Sequence, residues 1–304
     1  MQISGGISIT GGVSLTPPSS GDAGGGFQGS NYGYASGAPL APQDQIDKFS
    51  FTSDGNATNV GDLSQARGKA AGQSSVNSGY TSGGAAPSQV DTIDKFSFSS
   101  DGNATDVGNL TIARLNPAGQ SSSASGYSSG GVASTFQNAI DKFPFTSDAN
   151  ATDVGDLSIT RGRSAGQSST ENGYTSGGGG GNNVIDKFPF SSDANATDVG
   201  DLTVSRQYIA GQSSTTDGYS CGGDGGQDVI DKFPFSSDAN ATDVGDLSVS
   251  SFGQSGQSST TSGYATGGNP GRDQIQKFPF ASDDNSTEIG NLSLAKPDCA
   301  GQQY

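Results

Sequence analysis

A long repeat constrains this sequence more than any other feature. The string Ile-Asp-Lys-Phe begins at Ile46, Ile93, Ile140, Ile185 and Ile230, and a sixth copy, Ile-Gln-Lys-Phe, begins at Ile275. Successive copies lie 47, 47, 45, 45 and 45 residues apart. Each copy continues through a second Phe into Ser-Asp-x-Asn-x-Thr and Val-Gly-Asp-Leu or a close variant, and five copies then reach Gly-Gln-Ser-Ser, Gly-Tyr and a double glycine. Such a period indicates a supersecondary unit that buries its apolar surface only against its neighbours.

One unit contains four short strand patterns and no helical period. In the fourth copy we predict strands over Val184–Phe190, Asp198–Ser205, Ala210–Ser214 and Gly218–Ser220. The first two are separated by Ser-Asp-Ala-Asn-Ala-Thr, whose Asp and Asn favour turns. Four strands in about 45 residues make one propeller blade. We therefore predict an all-β, six-bladed β-propeller over residues 26–304, closed when residues 300–304 complete the first blade; the poorer copy at 26–30 competes for that place.

The unit resembles a Kelch repeat, which has a small-residue strand, a strand ending in a double glycine, an aromatic strand, and a strand ending near Arg. The residues that carry the resemblance in one unit are Tyr219, Gly222, Gly223, Phe233, Phe235, Arg206 and Ala210. The family's Trp is missing, since the chain contains no Trp. The resemblance implies a four-stranded, Kelch-like blade.

Arg and Asp residues vary together between copies. Pairing the Arg that we place at the end of the fourth strand with the Asp of the next Ile-Asp-Lys-Phe gives Arg67–Asp94, Arg114–Asp141, Arg161–Asp186 and Arg206–Asp231. The next pair is Ser251 and Gln276, so both charges are lost together, and Lys296 then pairs with Asp47 across the chain ends. A buried charge is costly without its partner. We predict a ring of ion pairs between successive blades; chance drift in the terminal copies is the alternative.

Composition excludes several classes of function. The formal net charge is −16, which disfavours nucleic acid and anionic membranes as partners, and no segment predicts membrane insertion. The chain has no His, the commonest general base and metal ligand. We therefore expect no enzyme and no cofactor, with an acidic site on one face as the minor alternative. The two cysteines, Cys221 and Cys299, occupy different places in their repeats, and whether they pair is left open.

The turn Asp-x-Asn-x-Thr-Asp-Val-Gly-Asp carries oxygen ligands at a spacing that suits Ca²⁺. It is similar to the calcium loops of integrin-type propellers, except that those have Gly at the position of Asp198 and an acidic ligand at that of Thr197. The candidate ligands are Asp54, Asn56, Asp101, Asn103, Asp148, Asn150, Asp193, Asn195, Asp238, Asn240, Asp283 and Asn285. The alternative is an Asx turn at a hairpin tip, with acidic side chains that keep strand edges soluble.

Two repeated positions bear on binding. One Tyr recurs in every copy, at Tyr34, Tyr80, Tyr127, Tyr174, Tyr219 and Tyr264. These rings either stack on sugars or pack between blades, and we favour packing. The segments after the double glycines differ most between copies, at 85–92, 132–139, 179–184, 224–229 and 269–274. Variable loops that share one face would mark it as the contact face.

Residues 1–25 do not follow the repeat. Alternating apolar and small polar residues are followed by Pro17-Pro18 and a Gly-rich stretch, which predicts an extended arm and a linker. The arm could add a strand to the sheet edge of a partner. The whole pattern, with Ile-Ser-Gly-Gly units before Ile-Asp-Lys-Phe-Pro-Phe repeats, resembles repeat proteins of marine and cyanobacterial phage particles. That resemblance implies a virion protein, anchored to other virion proteins through residues 1–25, whose propeller faces a neighbour or a host-surface glycan or protein. A soluble or secreted Kelch-like scaffold is the alternative.

Overall fold

The chain forms a closed ring of six four-stranded antiparallel sheets, which confirms the all-β, six-bladed propeller. The computed structural model describes residues 28–38, 43–85 and 87–304, so the predicted arm at 1–25 lies outside the described residues. Within the described residues no helix is long and apolar enough to cross a membrane.

The strands follow the repeat blade by blade. The first blade contains β1 (Tyr32–Ser36), β2 (Gln45–Ser50) and β3 (Thr58–Asp62). The second contains β4 (Ala71–Ser74), β5 (Ser78–Ser82), β6 (Thr92–Ser97) and β7 (Thr105–Asn109). The third contains β8 (Ala118–Ser121), β9 (Ser125–Ser129), β10 (Ala139–Pro144) and β11 (Thr152–Asp156). The fourth contains β12 (Ala165–Ser168), β13 (Asn172–Ser176), β14 (Val184–Pro189) and β15 (Thr197–Asp201). The fifth contains β16 (Ala210–Ser213), β17 (Asp217–Cys221), β18 (Val229–Pro234) and β19 (Thr242–Asp246). The sixth contains β20 (Ser255–Ser258), β21 (Ser262–Thr266), β22 (Gln274–Pro279) and β23 (Thr287–Asn291), and β24 (Ala300–Gln303) returns to the first blade.

The two ends of the propeller sequence meet in the first blade. Strand β24 pairs antiparallel with β1, with Gly301 opposite Ala35, and the sheet order is β24-β1-β2-β3. The expected closure by residues 300–304 is therefore confirmed. Gly29, from the competing segment at 26–30, lies elsewhere, since its amide donates to the Ser258 carbonyl oxygen at 2.8 Å, near the end of β20.

The six inner strands approach one another through glycine. A Cβ atom on Gly166 would lie 2.1 Å from the carbonyl oxygen of Gly119, and one on Gly211 would lie 2.3 Å from that of Gly166. The same approach continues round the ring through Gly256, Gly301 and Gly72. Any larger residue would push neighbouring backbones apart, so these glycines keep the central channel narrow.

Buried glutamines connect each inner strand to the second strand of the next blade. The Gln120 amide nitrogen donates to the Tyr174 carbonyl oxygen at 2.9 Å, and Gln302 donates to that of Tyr80 across the closure, also at 2.9 Å. Equivalent bonds occur in all six blades. A buried amide nitrogen that finds this carbonyl fixes the register of adjacent blades, since leaving the donor unpaired costs free energy.

Each blade buries both faces of its sheet against its neighbours. Tyr174, Ile185 and Leu202 pack with Phe233 of the following blade, and five equivalent clusters fill the other interfaces. Six small cores replace one large one. A chain with only 30% hydrophobic residues can therefore still fold, because each interface needs few apolar side chains and is completed by polar contacts.

The outer strand is shorter than the sequence predicts. Strand β15 ends at Asp201, whereas the alternating pattern predicted a strand to Ser205. Leu202 turns inward with 2% of its surface exposed, and the Thr203 hydroxyl donates to Asp231 of the next blade at 2.6 Å. The chain leaves the sheet to make these contacts, so Arg206 lies in the connector to the next inner strand rather than at a strand end.

Candidate binding face

Four buried Arg–Asp pairs join the connectors to the following blades. The nitrogen–oxygen distances are 2.8 Å for Arg67–Asp94, 3.0 Å for Arg114–Asp141, 2.9 Å for Arg161–Asp186 and 3.1 Å for Arg206–Asp231. The Asp141 carboxylate also accepts from the Thr111 amide at 2.8 Å and hydroxyl at 2.7 Å, at the end of the preceding blade. Each Asp therefore holds the preceding blade and the connector Arg to its own strand. Burial lowers the pKa of the Arg114 guanidinium, and the Asp141 charge opposes that effect.

The two remaining interfaces, those of Lys296 with Asp47 and of Ser251 with Gln276, follow the predicted pairing in part. Lys296 lies 3.9 Å from Asp47, both fully buried, and also donates to the Gln45 carbonyl at 2.8 Å. Ser251 and Gln276 do not bond each other among the described contacts. The Ser251 hydroxyl donates to the Asn269 carbonyl, whereas the Gln276 side-chain oxygen accepts from Ser248 and Val249. Serine is too short to replace the guanidinium, so Gln276 bonds the preceding blade and Ser286 of its own blade instead.

The predicted calcium residues make contacts between blades. Asp193 accepts an ion pair from Lys142 of the preceding blade at 2.8 Å, and Asn195 accepts the Asp156 amide at 3.1 Å. The Lys–Asp pairs recur in all six interfaces. The Asn bonds recur likewise. Among the described residues no group of three or more His, Cys, Asp or Glu is placed to hold a metal. Calcium binding by these loops stays a prediction. In the structure, their Asp and Asn residues form ion pairs and hydrogen bonds between blades.

The repeated tyrosines pack between blades. Tyr174 is 2% exposed, and its ring stacks on Phe235 of the next blade with centroids 4.8 Å apart. Burial raises the pKa of Tyr174 to about 12. These rings therefore stabilise interfaces, as favoured from the sequence, and offer no face to a sugar.

Both cysteines are buried, free thiols. Cys221 lies on β17 and Cys299 lies next to the inner strand β24, so the question left open by the sequence is answered against a disulfide between them. Burial raises the pKa of the Cys221 thiol to about 11. The thiols therefore act as small core side chains.

The variable loops and the connectors into the inner strands share one end of the ring, which we call the variable face. Leu115 of a connector bridges Val132 of a loop, and Phe252 bridges Asn269 in the same way. The Gly179 amide likewise donates to the Gly162 carbonyl at 2.7 Å. The segments that differ most between copies therefore form one continuous surface around the mouth of the channel.

The centre of the variable face is a ring of six main-chain hydrogen bonds. Its members, here called the mouth ring, are Lys69, Asn116, Arg163, Tyr208, Gly253 and Asp298. Each amide donates to the carbonyl oxygen of the preceding member at 2.6–2.9 Å, and Lys69 closes the circle on Asp298. All six have φ between 49° and 66°. A left-handed conformation is uncommon outside glycine and costs about 1–3 kcal/mol per residue, so the closed ring must hold it in place.

Six equivalent backbones thus present six different residues. Arg163 lies over the Tyr208 ring, 4.8 Å from its centroid, and Nη1 donates to Gln207 at 3.1 Å. Buried Asn116 Nδ2 and Arg163 Nε have no hydrogen-bond partner in the described structure. On the other side of the mouth, a Cβ on Gly253 would lie 2.3 Å from Asp298 Oδ1, so the missing side chain makes room for that carboxylate. The blades are near copies, but the mouth is chemically asymmetric.

The opposite end of the channel is formed by the ends of the inner strands and is called the serine mouth. The Ser74 amide donates to the Ser121 hydroxyl at 3.0 Å, and the same bond links the serines that follow. Gln28 lies here, with its amide nitrogen 3.1 Å from the Ser213 carbonyl oxygen. The described chain therefore begins at the end of the ring that faces away from the variable face.

Sequence reasoning missed the mouth ring. It noted the Arg two residues earlier and the loops after the double glycines, but not the position two residues before Ala165 and its equivalents. The available signal was variation itself, because this position holds a different residue in every copy beside the nearly constant Gly-Gln-Ser.

Asp298 provides a test of burial at the mouth. Burial raises the pKa of its carboxyl, while Lys69, a hydrogen bond from Asn269, and Arg163 oppose the shift. A raised folded-state pKa means that the folded state binds the proton more tightly, so stability from this group grows as pH falls through that pKa towards the ordinary value. We expect the wild type to gain stability relative to Asp298→Asn between pH 7 and pH 3, measured by urea unfolding. Asn suits the left-handed backbone, as Asn116 shows. A pH-independent difference would contradict the prediction.

Comparison with known proteins gives no family for this chain. No family model matches it. No curated protein matches it either.

Proposed function

We propose that this protein is a non-catalytic structural binding protein whose variable face contacts another molecule. The observation that supports it most strongly is the mouth ring, where a constant, strained backbone presents six different side chains. Strain of this kind clusters at ligand-binding positions. The repeated charged residues are occupied in contacts between blades, and the chain has no His, so the differing residues are best used for recognition.

We further propose that the protein is a virion component, attached through residues 1–25 to other virion proteins. Two observations support this layout. The repeats resemble those of phage particle proteins, and Gln28 lies at the serine mouth, on the side away from the variable face. Attachment on that side would leave the variable face free to meet a neighbouring subunit or a host-surface glycan or protein. A soluble Kelch-like scaffold would use the same face without a particle.

Cryo-electron microscopy of the material that naturally contains the chain tests this proposal. We expect a six-lobed ring on a particle, with the serine mouth towards the particle and the variable face outward. A variant lacking residues 1–25 should fold with the same melting temperature and fail to attach. A free monomer in that material would overturn the virion assignment and favour the soluble scaffold. A ring whose variable face lies against the particle would overturn the outward orientation.

A further inference from the structure

The cations of this acidic chain are unequally distributed between ion pairs and the variable face. All fourteen Lys and Arg residues lie in the described part of the chain, and eleven of them form ion pairs. The three without an ion pair to a described residue within 4.0 Å are Lys69, Arg163 and Arg272. Lys69 and Arg163 belong to the mouth ring, and Arg272 lies in a variable loop. In a chain of net charge −16, the three cations outside the ion pairs therefore lie on one face, where Lys69 and Arg163 interact with Asp298 at longer range.

Two of these cations form an arc of hydrogen-bond donors with Asn116 between them. The order around the mouth ring is Lys69, Asn116, Arg163, as their main-chain bonds show. Asn116 Nδ2, Arg163 Nε and the neighbouring Ser164 hydroxyl are buried without a hydrogen-bond partner among residues 28–38, 43–85 and 87–304. A buried donor left unpaired costs about 1–3 kcal/mol, so the arc is suited to an acceptor from outside the chain.

Arg163 is oriented in advance for such an acceptor. Tyr208 covers one face of the guanidinium, and Gln207 holds Nη1. Nε remains buried without a partner among the described residues, and a guanidinium edge with two parallel N–H groups binds carboxylates in bidentate fashion. Because the geometry is fixed before binding, less side-chain entropy is lost on binding.

The other half of the mouth offers different chemistry. The Asp298 carboxylate lies over Gly253, and both amide atoms of the adjacent Gln254 are buried without a partner. The cavity bounded by these residues has a volume of about 380 Å³, including its opening. That space includes open solvent, so the site is an open depression that contacts part of a small molecule and does not enclose it. A ligand that fits carries an anionic group at one end and groups that both donate and accept hydrogen bonds, such as hydroxyls, at the other.

We propose that the mouth ring binds a sugar acid, with its carboxylate on Lys69, Asn116 and Arg163 and its hydroxyls on Asp298 and Gln254. This assignment rests on the proposed binding role of the variable face and names the ligand class. A phosphate dianion fits less well, because Asp298 and the strongly acidic surroundings repel the second charge. A neutral sugar would leave the donor arc unpaired.

Calorimetric titration of the full chain with glucuronate tests the site. We expect saturable binding of glucuronate, with glucose and inorganic phosphate each binding at least about tenfold more weakly, as expected for the loss of a charged hydrogen-bond partner or the addition of a repelled charge. Arg163→Asn and Lys69→Asn should each weaken glucuronate binding by about tenfold or more. Asn is already accommodated at this backbone position by Asn116, so both variants should keep their melting temperature.

Arg272→Asn is the matched control, since it removes the same charge from the same face outside the donor arc. We expect it to change the affinity less than about threefold, because screened charges at a distance contribute little. An equal loss in Arg272→Asn and Arg163→Asn would overturn the site in favour of a net-charge effect. Tighter binding of phosphate or of an acidic peptide, or no saturable binding of glucuronate and galacturonate, would overturn the sugar acid. If these probes fail while variable-face substitutions still block contact with a natural partner, only the ligand class falls and the proposed binding role stands.

Discussion

Replacing Arg114 by Ser should destabilise the propeller by about 3–5 kcal/mol, because the fully buried Asp141 would lose its cation. Asp141→Gln should also be strongly destabilising, since it leaves the Arg114 charge buried. The double variant places at this interface the pair that the chain itself carries as Ser251 and Gln276. We expect it to be about 1–3 kcal/mol more stable than the sum of the two single losses, measured as a double-mutant cycle by urea unfolding.

The exposed pair in the next interface is the matched control. Lys142 and Asp193 are 30% and 60% exposed, so Lys142→Met should cost less than about 1 kcal/mol. Additive losses at Arg114 and Asp141, or an equally large loss at Lys142, would show that burial of the pair is not what makes it costly to break.

Deleting residues 300–304 should have a still larger effect. The deletion removes β24, so β1 becomes an exposed inner edge, and the Gln302 bond to Tyr80 and the Gly301 contact with Gly256 are lost together. We expect the melting temperature to fall by roughly 10 °C or more, with proteolysis beginning in the first blade, because a ring needs every interface and an open strand edge invites pairing with other chains.

A peptide spanning residues 297–304 supplies the control for that deletion. Added in excess, it should bind the truncated chain and raise the melting temperature in a concentration-dependent way, as any ligand of the folded state does. A truncated chain that melts like the wild type would mean that closure by β24 contributes little to stability.

The sequence was sufficient to predict the six blades and their closure, but it did not predict the mouth ring at the centre of the variable face. Repeats in constant register predicted six blades, and the joint loss of charge at Ser251 and Gln276 predicted buried pairs such as Arg114–Asp141. The calcium interpretation of Asp193 and Asn195 arose because the oxygen groups that suit a cation also accept hydrogen bonds from a neighbouring blade. The left-handed backbone of Arg163 and Tyr208 carries no residue signature of its own, so only contacts across the ring show it.

In the mouth ring, the bonds that fix the backbone do not depend on the side chains that the variable face presents. Its hydrogen bonds join only main-chain atoms, and this single chain already accommodates Lys, Asn, Arg, Tyr, Gly and Asp at the six positions. A mutation there would change the side chain that the variable face presents while leaving the main-chain bonds of the ring in place. The left-handed backbone disfavours Pro and the β-branched residues, which leaves about sixteen residue types, so six such positions allow on the order of ten million combinations on one frame.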